Sequence, residues 1–227
     1  MKRFTLVMLA LLLCASTVFA QIQIDWWHSM TGKNALALEE LAKRFNDSQT
    51  AYKVVPAFKG SYSDSMNAGI AAFRAKQPPH IIQVYEVGTA TMMNAGGAIY
   101  PVYKLMKDAG EKFDPKVYIP TITGYYSTSK GEMLSLPFNS STAVMYYNKD
   151  AFRKAGLDPE KPPVTWPEFF ETAKKLKASG MEGGFSTNWI SWIQLENFSA
   201  WHNQSFGTKN NGFDGLDTTL VFNTPLT

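Results

Sequence analysis

Alternating strand-like and helix-like patterns run through residues 22–85 and limit the folds open to this chain. Apolar residues alternate with polar ones at Ile22, Ile24 and Trp26, and then recur at helical spacing at Leu38, Leu41, Ala42 and Phe45. The pattern then predicts a strand over Tyr52–Phe58 and a helix that carries Met66, Ile70 and Phe73. A buried strand over His80–Tyr85 follows. This β-α-β-α-β order predicts a parallel sheet with helices on both faces and ligands at the carboxyl ends of its strands.

The later part of the chain has further local signals. Leu134–Asn148 is a long, extended-looking run that we interpret as a crossing between two lobes. A short helix is expected over Lys149–Gly156, because glycine commonly ends helices. Thr165 and Glu168 have the spacing of a capping box and predict the start of a helix that runs to Gly180.

Residues 1–20 have the composition of a secretory leader. Two basic residues precede the apolar run Phe4–Ala15, and Ala20 ends a small-residue cleavage signal. The run is shorter than the roughly 20 residues that a membrane helix needs. We therefore predict a signal peptide that is cleaved near Gln21 and a mature protein in the periplasm.

Cysteine content and charge exclude several classes of function. Cys14 is the only cysteine and lies in the leader; a lipid anchor there is disfavoured because Leu13, not a small residue, precedes it. The leader contains two of the 22 basic residues and none of the 19 acidic ones, so the mature chain carries a net charge of +1. This small excess predicts no nucleic-acid partner. The three histidines lack zinc-site spacing and phosphate-loop motifs are absent, so no metal or cofactor is predicted.

Several stretches of the mature chain carry a family resemblance. They are WHSM at 27–30, VYEVGTATMM at 84–93, PFNSST at 137–142, YYNKDAF at 146–152, AGLDP at 155–159, WIQLENFSAW at 192–201 and KNNGFDG at 209–215. Together they resemble the glycerol-3-phosphate-binding proteins of Ugp-type ABC importers, within extracellular solute-binding protein family 1. YYNKDAF is shared with sugar-binding relatives of the maltose-binding type, whereas VYEVGTATMM, PFNSST and WIQLENFSAW are much more specific.

The resemblance implies a two-lobed α/β protein of type II, like maltose-binding protein, that closes over its ligand by a hinge motion. Residues 21–137 would form a complete first lobe, and residues 138–227 the hinge crossing and an incomplete second lobe. The implied ligand is sn-glycerol-3-phosphate or a glycerophosphodiester such as glycerophosphocholine. The implied partners are the inner-membrane permease subunits of an ABC importer with their ATPase.

The resemblance also assigns the ligand contacts. Glu86 would accept hydrogen bonds from the glycerol hydroxyls, while Tyr62 and Ser141 would contact the phosphate. Trp189 would cover the glycerol carbons with its flat face. Without the resemblance, Tyr62 fits plain packing, Ser141 fits a turn or cap, and Glu86 fits a helix cap.

Three aromatic residues are second-rank candidates for ligand contact, namely Trp27, His28 and Trp192. Trp27 and His28 lie where the first strand ends, at the expected pocket opening. Because successive strand residues point to opposite faces, we expect one of Trp26 and Trp27 to face the core and the other the cleft.

Three other functions are compatible with parts of the pattern. A sugar- or oligosaccharide-binding protein of the same family would suit the many aromatic residues. A glycosidase would need two facing carboxylates, and a metal-dependent phosphodiesterase a cluster of His and Asp; Glu86 has no evident partner, so no enzyme is predicted. The last alternative is a truncated product without binding activity, since such proteins carry roughly as much chain again.

Overall fold

The structure, a computed structural model, describes residues 21–225, except for the side chains of Glu86, Val87 and Met93. The chain separates into two compact units, one ending at Ile99 and the other beginning at Tyr100. The predicted leader and Cys14 lie outside the described residues, and the predicted lobe boundary after residue 137 remains a prediction. Within residues 21–225, no helix has the length and apolar composition needed to cross a membrane.

The first unit is built on one small parallel sheet. Its elements are β1 (Ile22–His28), α1 (Gly32–Ser48), β2 (Tyr52–Phe58), α2 (Tyr62–Arg74), β3 (Ile81–Ile82) and α3 (Glu86–Met93). The strand order is β2-β1-β3 and both pairings are parallel, as the sequence pattern predicts. The chain moves from β1 outwards to β2 and then back past β1 to β3, so right-handed crossovers place α1 and α2 on opposite faces of the sheet.

The third strand is shorter than the sequence pattern predicts. Only Ile81 and Ile82 are in β3, where they pair with Trp26 and Trp27. The backbone N–H of Gln83 still donates to the Trp27 carbonyl at 2.9 Å, but its side-chain Oε1 accepts from the N–H of Ser29 at 3.0 Å. The chain therefore leaves the sheet at Gln83 and reaches α3 through a short loop.

The outer edge of β2 is closed by side chains of α1 and of the turn after it. The Asn46 amide donates to the Val54 carbonyl at 2.9 Å and accepts from the Val54 N–H at 2.7 Å. Gln49 makes the same pair of hydrogen bonds with Tyr52, at 2.8 Å and 2.7 Å. Pro56, the next residue of this alternating set, has no N–H to offer. These contacts block the addition of a further strand.

Replacing Asn46 by alanine is expected to lower the free energy of unfolding by about 1–2 kcal/mol, because both polar groups of Val54 lose their partner. The open edge should also promote self-association. Urea denaturation and light scattering measure the two effects. Asn46→Asp is the matched control. Its free energy of unfolding should lie between those of Asn46→Ala and the unchanged chain, because aspartate accepts from the N–H but cannot donate to the carbonyl. Equal behaviour of Asn46→Ala and the unchanged chain would contradict this account.

The helices and strands assigned in the described part of the second unit are all helices. Its elements are α4 (Val102–Ala109), a 3₁₀ turn (Pro115–Val117), α5 (Pro120–Tyr125), α6 (Lys149–Lys154), α7 (Trp166–Ala178), a π-helix (Ile190–Glu196), α8 (Asn197–Trp201) and α9 (Thr208–Asn211). Its β-pairings in the described part of the chain are isolated bridges, Ser127 with Met133 and Gly207 with Leu220. Residues 134–148 contain no helix or strand, and their role as a crossing between lobes stays a prediction.

The helix boundaries predicted in this unit follow from the local sequence. The Thr165 hydroxyl accepts from the Glu168 N–H at 3.4 Å, and the Glu168 carboxylate accepts from the Thr165 N–H at 3.1 Å. The predicted capping box is therefore present at the start of α7. Helix α6 begins at Lys149 as predicted and ends two residues before Gly156, which has a φ of +71°. Glycine adopts this left-handed conformation without steric cost.

Candidate functional site

Two helices begin side by side at the carboxyl ends of the strands in the first unit. Tyr62 is the first residue of α2, and Tyr85 immediately precedes α3. Their rings stack with centroids 5.4 Å apart and planes 5° from parallel, and the Ser63 and Tyr85 hydroxyls lie 3.2 Å apart. Glu86 is the first residue of α3. The structure therefore brings Tyr62 and the backbone of Glu86 to one edge, whereas the carboxylate of Glu86 is not described.

A capping box fixes the start of α2. The Ser61 hydroxyl accepts from the Asp64 N–H at 3.2 Å, and the Asp64 carboxylate accepts from the Ser61 N–H at 2.9 Å and its hydroxyl at 2.7 Å. These hydrogen bonds hold the pKa of Asp64 below its usual value, because they stabilise the carboxylate. Tyr62, between the two partners in sequence, is thereby held at a defined helix position.

Two glycines allow α2 to approach the rest of this edge closely. A Cβ at Gly88 would lie 2.7 Å from the Met66 sulfur and 2.8 Å from the Tyr85 ring. A Cβ at Gly69 would lie 2.5 Å from Cδ1 of Ile82. Both contacts set the spacing between α2 and the β3–α3 segment, and hence the position of Tyr62 relative to α3.

His28 lies at the end of β1 and is 4% exposed. Its Nδ1 accepts a hydrogen bond from the Met30 N–H at 3.2 Å, and its ring packs at 6.1 Å from that of Phe58. Burial lowers the pKa of His28, because the charged imidazolium would lose its hydration, and the negative charge of Glu39 opposes this shift. The structure thus gives His28 a role in holding the β1–α1 loop, and its predicted contact with ligand remains a prediction.

Trp26 and Trp27 point to opposite faces of the sheet, as strand geometry requires. Trp27 pairs in register with Ile82, which contacts Gly69 of α2, so Trp27 lies on the α2 face. The ammonium of Lys59 lies over the Trp27 ring, 4.1 Å from its centroid. Sequence reasoning missed Lys59, although a basic residue directly after a strand of a parallel sheet is a usable signal.

The other assigned residues belong to the second unit. Ser141 is exposed in the segment that lacks helix and strand. Trp189 precedes the π-helix with a φ of +50°, is 50% exposed, and packs edge-on against Trp192 at 6.3 Å. π-Helical turns occur frequently at functional sites. At the end of this turn, burial raises the pKa of Glu196, because its carboxylate loses hydration.

A groove of about 860 Å³ lies within the second unit between α7 and two segments that contain no helix or strand. Its walls include residues 143–148, residues 181–188 and the aromatic side chains of Trp166, Phe169 and Phe198. Ser141 stands just before the first segment and Trp189 just after the second. Neither Ser141 nor Trp189 lines the groove, but each is close in sequence to a segment that does.

Metal-ligating side chains are not clustered in the described part of the chain. No three or more of its His, Cys, Asp and Glu side chains are placed to hold a metal ion. The assigned residues of each unit supply hydroxyl groups and aromatic faces, which are suited to non-covalent capture of a small ligand.

Known proteins match the chain over most of its length. The profile of the bacterial extracellular solute-binding protein family matches residues 31–227. The chain is 55% identical over 212 residues to the sn-glycerol-3-phosphate-binding periplasmic protein UgpB of Brucella abortus, covering 93% of this chain and 49% of the relative. The Escherichia coli UgpB is 56% identical over 225 residues, covering 98% and 51%. The chain spans about half the length of these relatives and matches their N-terminal part.

Solved structures share the fold at low sequence identity. One is a cyclic alpha-maltosyl-1,6-maltose binding protein from Arthrobacter globiformis, with a TM-score of 0.63 at 20% identity over 91% of this chain and 51% of that one. Another is the substrate-binding protein Lmo0181 of Listeria monocytogenes in complex with cycloalternan, with a TM-score of 0.61 at 17% identity over 91% and 50%. These matches confirm the predicted type II α/β fold. The chain belongs to the bacterial extracellular solute-binding protein family.

Proposed function

We propose that this chain is the solute-binding part of an ABC importer and that it captures sn-glycerol-3-phosphate or a glycerophosphodiester. The observation that carries the proposal is its 56% identity over 225 residues to a relative named for sn-glycerol-3-phosphate binding. The side-by-side starts of α2 and α3, which carry Tyr62 and Glu86, support it, because ligands of such sheets collect at the carboxyl ends of strands.

Different residues are proposed to contact the phosphate and the glycerol part of the ligand. Tyr62 and Ser141 donate hydroxyl hydrogen bonds to the phosphate oxygens, which accept strongly because they carry charge. Glu86 accepts from the glycerol hydroxyls and stays away from the phosphate, since like charges repel. Trp189, with Trp192 beside it, covers the carbon frame with an apolar face that excludes water.

We also propose where the chain works and which partners receive its ligand. The relatives are named as periplasmic binding proteins, and the family to which the chain belongs is one of extracellular solute-binding proteins. We therefore propose that residues 1–20 are removed after export, that the mature chain works in the periplasm, and that permease subunits with their ATPase receive the ligand.

A thermal-shift assay on the purified chain tests the choice of ligand. A ligand that binds only the folded chain raises Tm by mass action, so sn-glycerol-3-phosphate at millimolar concentration is expected to raise it. Free glycerol, inorganic phosphate and maltose are the matched controls, and each should give a smaller shift. Stabilisation by maltose without stabilisation by sn-glycerol-3-phosphate would instead favour a sugar-binding protein.

A further inference from the structure

Lys59 holds a positive charge at the edge of the sheet where the proposed ligand binds. It directly follows β2, and its N–H donates to the His28 carbonyl at 2.9 Å, so its backbone is anchored to the end of β1. Its ammonium lies 4.1 Å from the centroid of the Trp27 ring. A lysine side chain is flexible on its own, and this contact fixes where its charge lies.

The pair of Lys59 and Trp27 lies on the same face of the sheet as α2. Trp27 pairs in register with Ala57, and Lys59 is two residues further along the same strand direction. Residues two apart on a strand point to the same face, and Trp27 is on the face that α2 covers. The charge of Lys59 and the first residue of α2, Tyr62, are therefore on one face and at one end of the sheet.

No carboxylate among the described side chains forms a salt bridge with Lys59. Other lysines of the chain form salt bridges, such as Lys43 with Asp47 and Lys149 with Glu160. Lys59 makes no salt bridge within the described residues, and its ammonium is held by an aromatic face instead. An aromatic face attracts the cation but carries no net charge, so the field of Lys59 remains available to an anion.

We propose that Lys59, held by Trp27, is a specificity-determining residue that provides the positive charge for the phosphate of the ligand in the first unit. This inference rests on the proposed function and deepens it. Hydroxyl groups such as those of Tyr62 and Ser141 donate hydrogen bonds to a phosphate but leave its charge uncompensated. An ammonium adds up to three donors and the opposite charge, and so distinguishes a phosphate ester from a neutral sugar.

Phosphorus NMR titrations of the purified chain test this inference with two ligands, sn-glycerol-3-phosphate and inorganic phosphate. Lys59→Gln is expected to weaken binding of both roughly tenfold, the size of one lost charge-assisted contact. High ionic strength should reduce the difference in affinity between the unchanged chain and Lys59→Gln, because salt screens the charge. Lys53→Gln is the matched control, with the same change of charge at the other end of β2, roughly 20 Å away. It should leave both affinities unchanged.

Each result decides between the two proposals. If the unchanged chain binds sn-glycerol-3-phosphate and Lys59→Gln binds it equally well, Lys59 is not the phosphate contact although the proposed function stands. If the chain binds phosphate through Lys59 but does not bind sn-glycerol-3-phosphate, the proposed function is wrong while the phosphate contact of Lys59 stands. A loss equally large in Lys33→Gln, at the start of α1 on the opposite face, overturns the inference by showing a diffuse field. If neither ligand binds, the inference and the proposed function both fail.

Discussion

Replacement of Tyr62 by alanine is expected to weaken binding of sn-glycerol-3-phosphate by a factor of about 10–100. The change removes the phenol that we propose donates to the phosphate, and also the ring that stacks on Tyr85 at 5.4 Å. Loss of the stack removes one of the contacts that hold Tyr85, which directly precedes Glu86, so the start of α3 loses support as well. Ligand-observed NMR, which detects weak as well as tight binding, measures the change in Kd.

Two further variants separate the hydroxyl of Tyr62 from its ring. Tyr62→Phe keeps the stack and removes only the donor, so it should lose most of the affinity if the phenol meets the phosphate. Tyr52→Phe makes the same chemical change at the amino end of β2 and should have no effect. If Tyr62→Phe binds as well as the unchanged chain while Tyr62→Ala does not, the residue supports the site by packing and does not contact the phosphate.

Replacement of Gly184 by alanine is expected to lower the free energy of unfolding by about 3 kcal/mol or more. A Cβ at this position would lie 2.1 Å from the carbonyl oxygen of Ala173 and 2.7 Å from its carbonyl carbon. Both are backbone atoms of α7, which cannot rotate away as a side chain would. The 181–188 segment and α7 must therefore separate, and both line the groove of the second unit. Urea denaturation followed by tryptophan fluorescence measures the loss.

The neighbouring glycine provides a matched control. A Cβ at Gly183 would meet only the Phe185 carbonyl oxygen, at an ordinary distance of 3.7 Å. Neither glycine has the left-handed φ that disfavours other residues, so the two variants differ in packing and not in backbone strain. Gly183→Ala should change stability by less than about 0.5 kcal/mol. Equal stability of the two variants would show that the segment can move away from α7 at no cost.

Contacts between residues that are close in sequence could be predicted, whereas contacts between distant residues could not. Ser61 and Asp64 form the capping box of α2, and Thr165 and Glu168 form that of α7. Both boxes follow from spacing along the chain, because each bond joins residues three positions apart. The stack of Tyr62 on Tyr85 joins residues 23 positions apart. No local pattern predicts it, because it depends on how α2 crosses back to β3.

The sequence by itself determined the order of strands and helices in the first unit, the parallel sheet, and the family to which the chain belongs. Periodicity and capping act over a few residues, so they are readable without a structure. Only the tertiary structure decided that β3 ends at Ile82, that the Lys59 ammonium lies over Trp27, and that Gly184 packs on the backbone of Ala173. These contacts depend on strand register and crossover direction, which bring together residues that the chain keeps far apart.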